Sequence, residues 1–204
     1  MIVDIYDLSI RLYSKLKSGA FFRDEEGRLR GPIGDNIPAF VAKDWAVDSH
    51  AYVTKLSRKS GNEHLLTLDP KTGETIGEWE GTKYGVEYRT PKGMEYVTLH
   101  THGKEMTFSK DDLTGFIDSD KEPAMRVITP KGDIYVMNKP RGFKSGGARS
   151  AKEIWDEHAR RLSGKYYFYG LKGKKEEAAK SEYYHEVVSA VAKDLGLDYM
   201  RYMR

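Results

Sequence analysis

Two histidines one residue apart, His100-Thr101-His102, and the Ser109-Lys110-Asp111-Asp112 run that follows them are the residues best placed to do chemistry. The apolar, β-branched run Tyr96-Val97-Thr98-Leu99 predicts a strand entered from a turn at Lys92-Gly93. Successive side chains in a strand alternate faces, so His100 and His102 project to the same side. Two imidazoles held that way can bite one metal ion. Asp112, ten residues after His102, stands at the start of a segment, Asp111 to Ile117, short enough for a two-turn helix. A carboxylate from there completes a set of two histidines and one acid, which catalytic zinc sites use to keep a fourth position open for water. Ser109-x-x-Asp112 also has a plainer use. It is a helix start, with the serine capping a free backbone N–H and the acid on the positive end of the helix dipole.

Composition narrows the chemistry. The chain has no cysteine, so any metal must be held by His, Asp or Glu. Its 204 residues are enough for one domain with decorations and a real core. Met1 to Asp7 lack the basic start and apolar core of a signal peptide, and no run approaches the roughly eighteen apolar residues of a membrane span. The expectation is a soluble, cytoplasmic protein. A net charge of +3 is too small to argue for nucleic acid, but it is unevenly spread. From Lys139 onward there are fifteen Lys/Arg against nine Asp/Glu, so that third carries +6 and the rest −3.

The elements that must position these residues read as follows. Apolar spacing predicts an amphipathic helix over Val3 to Leu16, then a turn-rich loop over 23–38. A second helix is expected from Trp45 to Arg58, ended by Ser60-Gly61. Three hairpins follow, each around Pro-Lys-Gly turn chemistry: Glu63–Leu68 with Thr75–Trp79, Gly85–Tyr88 with Met94–His100, and Arg126–Thr129 with Ile134–Met137. The basic, glycine-rich Asn138 to Ser150 reads as a mobile loop or boundary. Helices are expected over Ala151 to Leu162 and Lys174 to Leu195, the latter closed by Gly196.

A hydrolytic metal centre needs a base as well as ligands, and a carboxylate is the usual choice. Glu63, at the start of the first strand of the sheet, is a candidate by position; Glu87 and Glu95 are rivals. Glu63, His100-x-His102 and Ser109-x2-Asp112 together resemble the signature of the JAMM (MPN+/JAB) metalloprotease family. More specifically, Glu63 to Glu74, Thr98 to His102 and Phe108 to Leu113 are similar to JAB-like domains of phage and prophage proteins, and Val127 to Val136 suits the strand pair that closes them. The resemblance covers roughly residues 42–138. Two departures stand out: Gly103 follows the second histidine where many members have proline, and the His102-to-Ser109 spacing is one residue shorter than in eukaryotic members.

The resemblance implies an α/β fold of JAB/MPN type, cytidine-deaminase-like, with a central mixed sheet flanked by helices over 42–138. Residues 1–41 are then an N-terminal helix and linker, and 139–204 a basic loop and C-terminal helical extension. It implies Zn2+ held by His100, His102 and Asp112, Glu63 as general base and Ser109 as oxyanion donor. The activity implied is hydrolysis of a peptide or isopeptide bond, with a protein or peptide substrate that includes ubiquitin-like conjugates; a phage-encoded enzyme would act in the host cytoplasm. The alternative is a catalytically silent structural or nucleic-acid-binding module on the same fold. Its support is the basic, tyrosine-rich tail: Lys139, Arg141, Lys144, Arg149, Lys165, Tyr166, Tyr167, Tyr169, Lys172, Lys174 and Lys175. His64 should face away from Glu63 by alternation, and His50, His158 and His185 sit in helical stretches without partner spacing.

Overall fold

The computed structural model describes residues 22–23, 29–30, 44–104, 106–144, 150–166 and 171–202. The helix expected over Val3 to Leu16 lies outside the described residues. A short antiparallel pair, β1 (Phe22–Arg23) and β2 (Leu29–Arg30), stands apart from the main sheet.

Helix α1 (Asp44–Ser60) leads into β3 (His64–Leu68) and β4 (Thr75–Glu80). Then come β5 (Val97–Thr101), α2 (Lys110–Asp118), β6 (Ala124–Ile128) and β7 (Ile134–Asn138). Helices α3 (Ala151–Ser163) and α4 (Lys174–Leu195) precede a last strand, β8 (Asp198–Tyr202). The six strands from β3 onward form one sheet in the order β4-β3-β5-β6-β7-β8. Every neighbouring pair is antiparallel except β5 and β6. A parallel pair needs a crossover connection, and the segment carrying α2 supplies it. This is a mixed α/β fold with helices flanking a mixed sheet.

Strands β3, β5 and β6 are buried at every position, although β5 alternates apolar and polar residues over Val97-Thr98-Leu99-His100, so its polar Thr98 and His100 are buried on the face that carries the site. On one face Val53 of α1 packs on Leu66, Leu68, Val97, Leu99, Ala124 and Ile128. On the other, Leu113 and Phe116 of α2, Ile154 and Trp155 of α3, and Val187, Val188 and Val191 of α4 cover Met125, Val127, Tyr135 and Met137. At about 1.5–3 kcal/mol for each large side chain removed from water, these two layers supply the drive that holds the sheet between its helices.

Two elements differ from the sequence expectation. Gly85–Tyr88 is not a strand: residues 81–96 form an irregular wall, held by a Thr82–Gly85 bridge, and β5 begins only at Val97. And β8, which the apolar pattern does not predict, pairs along its whole length with β7. The 139–204 segment therefore completes the sheet and its core instead of adding helices alone. Helix α4 does end at Gly196, which takes the left-handed conformation (φ 67°) that only glycine adopts at little cost.

Candidate metal centre

The site is built on the end of β5 nearest α2. Leu65 pairs with His100 and Thr67 with Thr98, so Thr98, His100, Leu65 and Thr67 share the face that looks toward α2. His102, one step past the strand, still donates its N–H to Ile128 O at 2.9 Å, which carries the alternation on to it. The two imidazoles accordingly lie side by side, ring centroids 4.9 Å apart and Nε2 atoms 3.1 Å apart.

Asp112 reaches them from the first turn of α2. Its Oδ1 lies 3.5 Å from His100 Nε2 and its Oδ2 3.2 Å from His102 Nε2. The helix-start reading of Ser109-x-x-Asp112 holds at the same time. Ser109 Oγ accepts from Asp112 N at 3.1 Å, and Ser109 N donates to Asp112 Oδ2 at 2.7 Å. The capping box aims the carboxylate: the backbone N–H that it caps fixes Oδ2 beside His102. The cap and the convergence on the histidines, alternatives in sequence, are one structure.

The donor set fits a metal ion. Ligand atoms of His100, His102 and Asp112 all lie within 4.8 Å of one another. Ligands at about 2.0–2.1 Å in a tetrahedral site lie about 3.3 Å apart. The two histidine Nε2 atoms at 3.1 Å, and His102 Nε2 and Asp112 Oδ2 at 3.2 Å, are close to that value, while the Asp112 atom beside His100 is the other oxygen, Oδ1, at 3.5 Å. His102 Nδ1 donates to Met106 O at 3.2 Å, which leaves the Nε2 lone pair facing Asp112. His100, 3% exposed, has no partner for Nδ1 among the described residues. The electrostatics agree. Burial lowers the proton affinity of His102, but the Asp112 hydrogen bond and charge, Glu63 and the Met106 carbonyl outweigh it and raise the pKa. Asp112 is pushed up by burial, yet the two histidines hold it well below the ordinary carboxylate value.

Glu63 lies one residue before β3, on the face of Leu65, and is 7% exposed. Its Oε1 accepts from Gly103 N at 3.1 Å, and it is not among the grouped ligand atoms. All five residues singled out in the sequence line one cleft of about 910 Å³, whose far wall is the 81–88 segment with Lys83, Tyr84 and Tyr88. Of the rival bases, Glu87 lies on that wall and Glu95 does not line the cleft.

The remaining histidines are used structurally. His64 faces away, its Nε2 2.8 Å from Ser60 Oγ. His50 Nε2 lies 3.1 Å from Nη1 of the buried Arg126; burial lowers the pKa of His50, which keeps it a neutral acceptor. His158 sits 2.7 Å from Asp194 Oδ2, and His185 Nδ1 2.9 Å from the Tyr199 hydroxyl. In the tail, Lys139 donates to the Phe116 and Ser119 carbonyls, Lys165 pairs with Glu186, and Tyr166 packs edge-on against Tyr183. Arg149, Tyr167 and Tyr169 lie outside the described residues.

Sequence reasoning missed a buried carboxylate next to the cleft lining. Thr98, two residues before His100 on the same face, donates to Glu122, a carboxylate only 1% exposed. Alternation along β5 marks Thr98 as a neighbour of the site. Nothing local marks Glu122, which arrives just before the parallel strand β6. Burial raises the Glu122 pKa to about 7, against the Thr98 hydrogen bond and the Lys139 charge and with help from Asp112.

No helix among the described residues is long and apolar enough to cross a membrane. No family model, curated protein or solved structure matches the chain.

Proposed function

We propose that the chain is a zinc-dependent hydrolase of peptide or isopeptide bonds, of the JAMM type that its motifs resemble. The observation that supports this reading is the convergence of His100, His102 and Asp112 from a strand and a helix, with Glu63 across the same cleft. His100, His102 and Asp112 would hold the ion. When bound, zinc supplies a Lewis acid that polarises the scissile carbonyl and lowers the pKa of water.

The chain's own residues account for the rest. Glu63 takes the proton of the attacking water and passes it to the departing amine, α-amino or lysine ε-amino alike. Ser109 Oγ accepts from Asp112 N with a lone pair, so its hydroxyl proton remains available for the developing oxyanion. The Met106 carbonyl and the Ser109 backbone N–H keep His102 and Asp112 aimed while this happens. The cleft is large enough to take an extended peptide segment.

Metal analysis of the purified protein tests the reading. Wild type should carry one zinc per chain, and His102→Ala should lose metal and hydrolysis together. Glu63→Gln should keep the metal and the fold but lose about 10²–10⁴ in rate on peptide and ubiquitin-like conjugate substrates. A wild-type protein that binds no zinc under any loading condition refutes it.

A further inference from the structure

We infer that Gly103 is the positioning residue for Glu63: its backbone N–H aims the carboxylate, and its missing side chain lets the 81–85 turn close beside both. This rests on the hydrolase reading of the same site.

A carboxylate as buried as Glu63 needs a donor. Its backbone is already held on both sides, because Glu63 N donates to Thr82 O at 2.8 Å and Glu63 O accepts from Gly81 N at 2.9 Å. With the main chain held, the direction of the side chain is decided by what its oxygens meet. Oε1 meets Gly103 N at 3.1 Å. Gly103 directly follows the ligand His102, where many members of the resembled family have proline and so no N–H; in this chain a single backbone N–H sets the base relative to the metal.

The need for glycine here is one of space. Gly103 is not among the positive-φ glycines, so its backbone conformation is open to other residues. A Cβ at 103 would instead lie 2.8 Å from the Lys83 carbonyl oxygen, a backbone atom that cannot swing aside, and 4.0 Å from Glu63 Oε1. The turn that holds the Glu63 backbone therefore rests on the residue that holds its side chain.

Two substitutions separate space from hydrogen bonding. Gly103→Ala and Gly103→Pro add the same Cβ against Lys83, but only proline removes the N–H. In zinc-loaded protein Gly103→Pro should keep one zinc and lower kcat about 10–10²-fold with KM little changed, because a misplaced catalytic group costs about that much. Gly103→Ala should lose less. On a Glu63→Gln background Gly103→Pro should cost nothing further, since the two act as one unit. A measurement free of substrate is hydrogen exchange of the Gly103 amide, which should speed up about tenfold or more in Glu63→Ala when its acceptor is removed. Equal exchange in wild type and Glu63→Ala overturns the inference, as does an unchanged kcat in Gly103→Pro or an undiminished loss on the Glu63→Gln background. A wild type without zinc would sink the hydrolase reading alone, while the amide exchange would still decide whether Gly103 holds Glu63.

Discussion

Glu122→Gln probes the buried carboxylate that Thr98, a residue lining the cleft, donates to, and the size of its effect can be worked from the structure. Glu122 is 1% exposed, its Oε1 accepts from Thr98, and its Oε2 has no partner among the described residues. Burial is the largest influence and raises the pKa to about 7 from the 4.5 of an ordinary glutamate. The folded state thus holds the proton more tightly than the unfolded chain. Below about pH 4.5 both states are protonated and the contribution is fully present. As pH rises the unfolded chain ionises first, and stability falls until the folded carboxyl ionises near pH 7. At about 1.4 kcal/mol per pH unit the loss totals about 3 kcal/mol.

Glutamine keeps the acceptor for Thr98 and cannot ionise, so the variant should lack this decline. At pH 5 it should melt close to wild type. At pH 8, in chelator, it should be more stable by about 3 kcal/mol, or about 6–12 °C in a chain of this length. The Asp112 charge is part of what raises Glu122, and a bound cation offsets that charge. Zinc loading should therefore end the wild-type decline at a lower pH. Melting curves of wild type and Glu122→Gln that stay parallel from pH 4.5 to 8 would refute the argument.

Other outcomes follow from the same geometry. Ser109→Ala should lose about 1 kcal/mol of stability with its cap, and about 10²–10³ in rate if the hydroxyl also serves the oxyanion; melting and kinetics on one preparation separate the two. On the proposed zinc reading the ion has to displace a proton from His102, whose pKa is raised, so apparent affinity should fall about tenfold per pH unit below that pKa, while Asp112 stays ionised. A competition titration with a chromophoric chelator between pH 5.5 and 8 reads this directly, and a flat profile would contradict it.

Local rules make the candidate ligands legible in the amino-acid sequence alone. His100 and His102 share a face because a strand alternates, and Asp112 opens a helix because Ser109 three residues earlier can cap it. His64 turns away from Glu63 for the same reason of alternation. These relations span a few residues, so sequence by itself determines them. Glu63 is of another kind. Its place at the start of a strand is visible, but its choice over Glu87 and Glu95 comes from a resemblance. Only the antiparallel register of β3 on β5 puts it across from the histidines.

Tertiary structure decided the rest. A cap and a metal ligand compete for Asp112 in sequence, and the approach of α2 to β5 lets one carboxylate serve both arrangements. Residues 81–96 have the turn chemistry and β-formers of a hairpin, yet they run irregularly and 81–88 wall the cleft, with Gly81 and Gly103 at close approaches. Strand β8 is short and polar, Asp198-Tyr199-Met200-Arg201-Tyr202, and becomes a strand because β7 offers it an open edge. Glu122 carries no local signal at all. It meets Thr98 because the parallel crossover sets β6 beside β5, a pairing whose partners lie more than twenty residues apart in the chain. What neighbours in sequence impose on each other can be read directly; what distant segments impose required the fold.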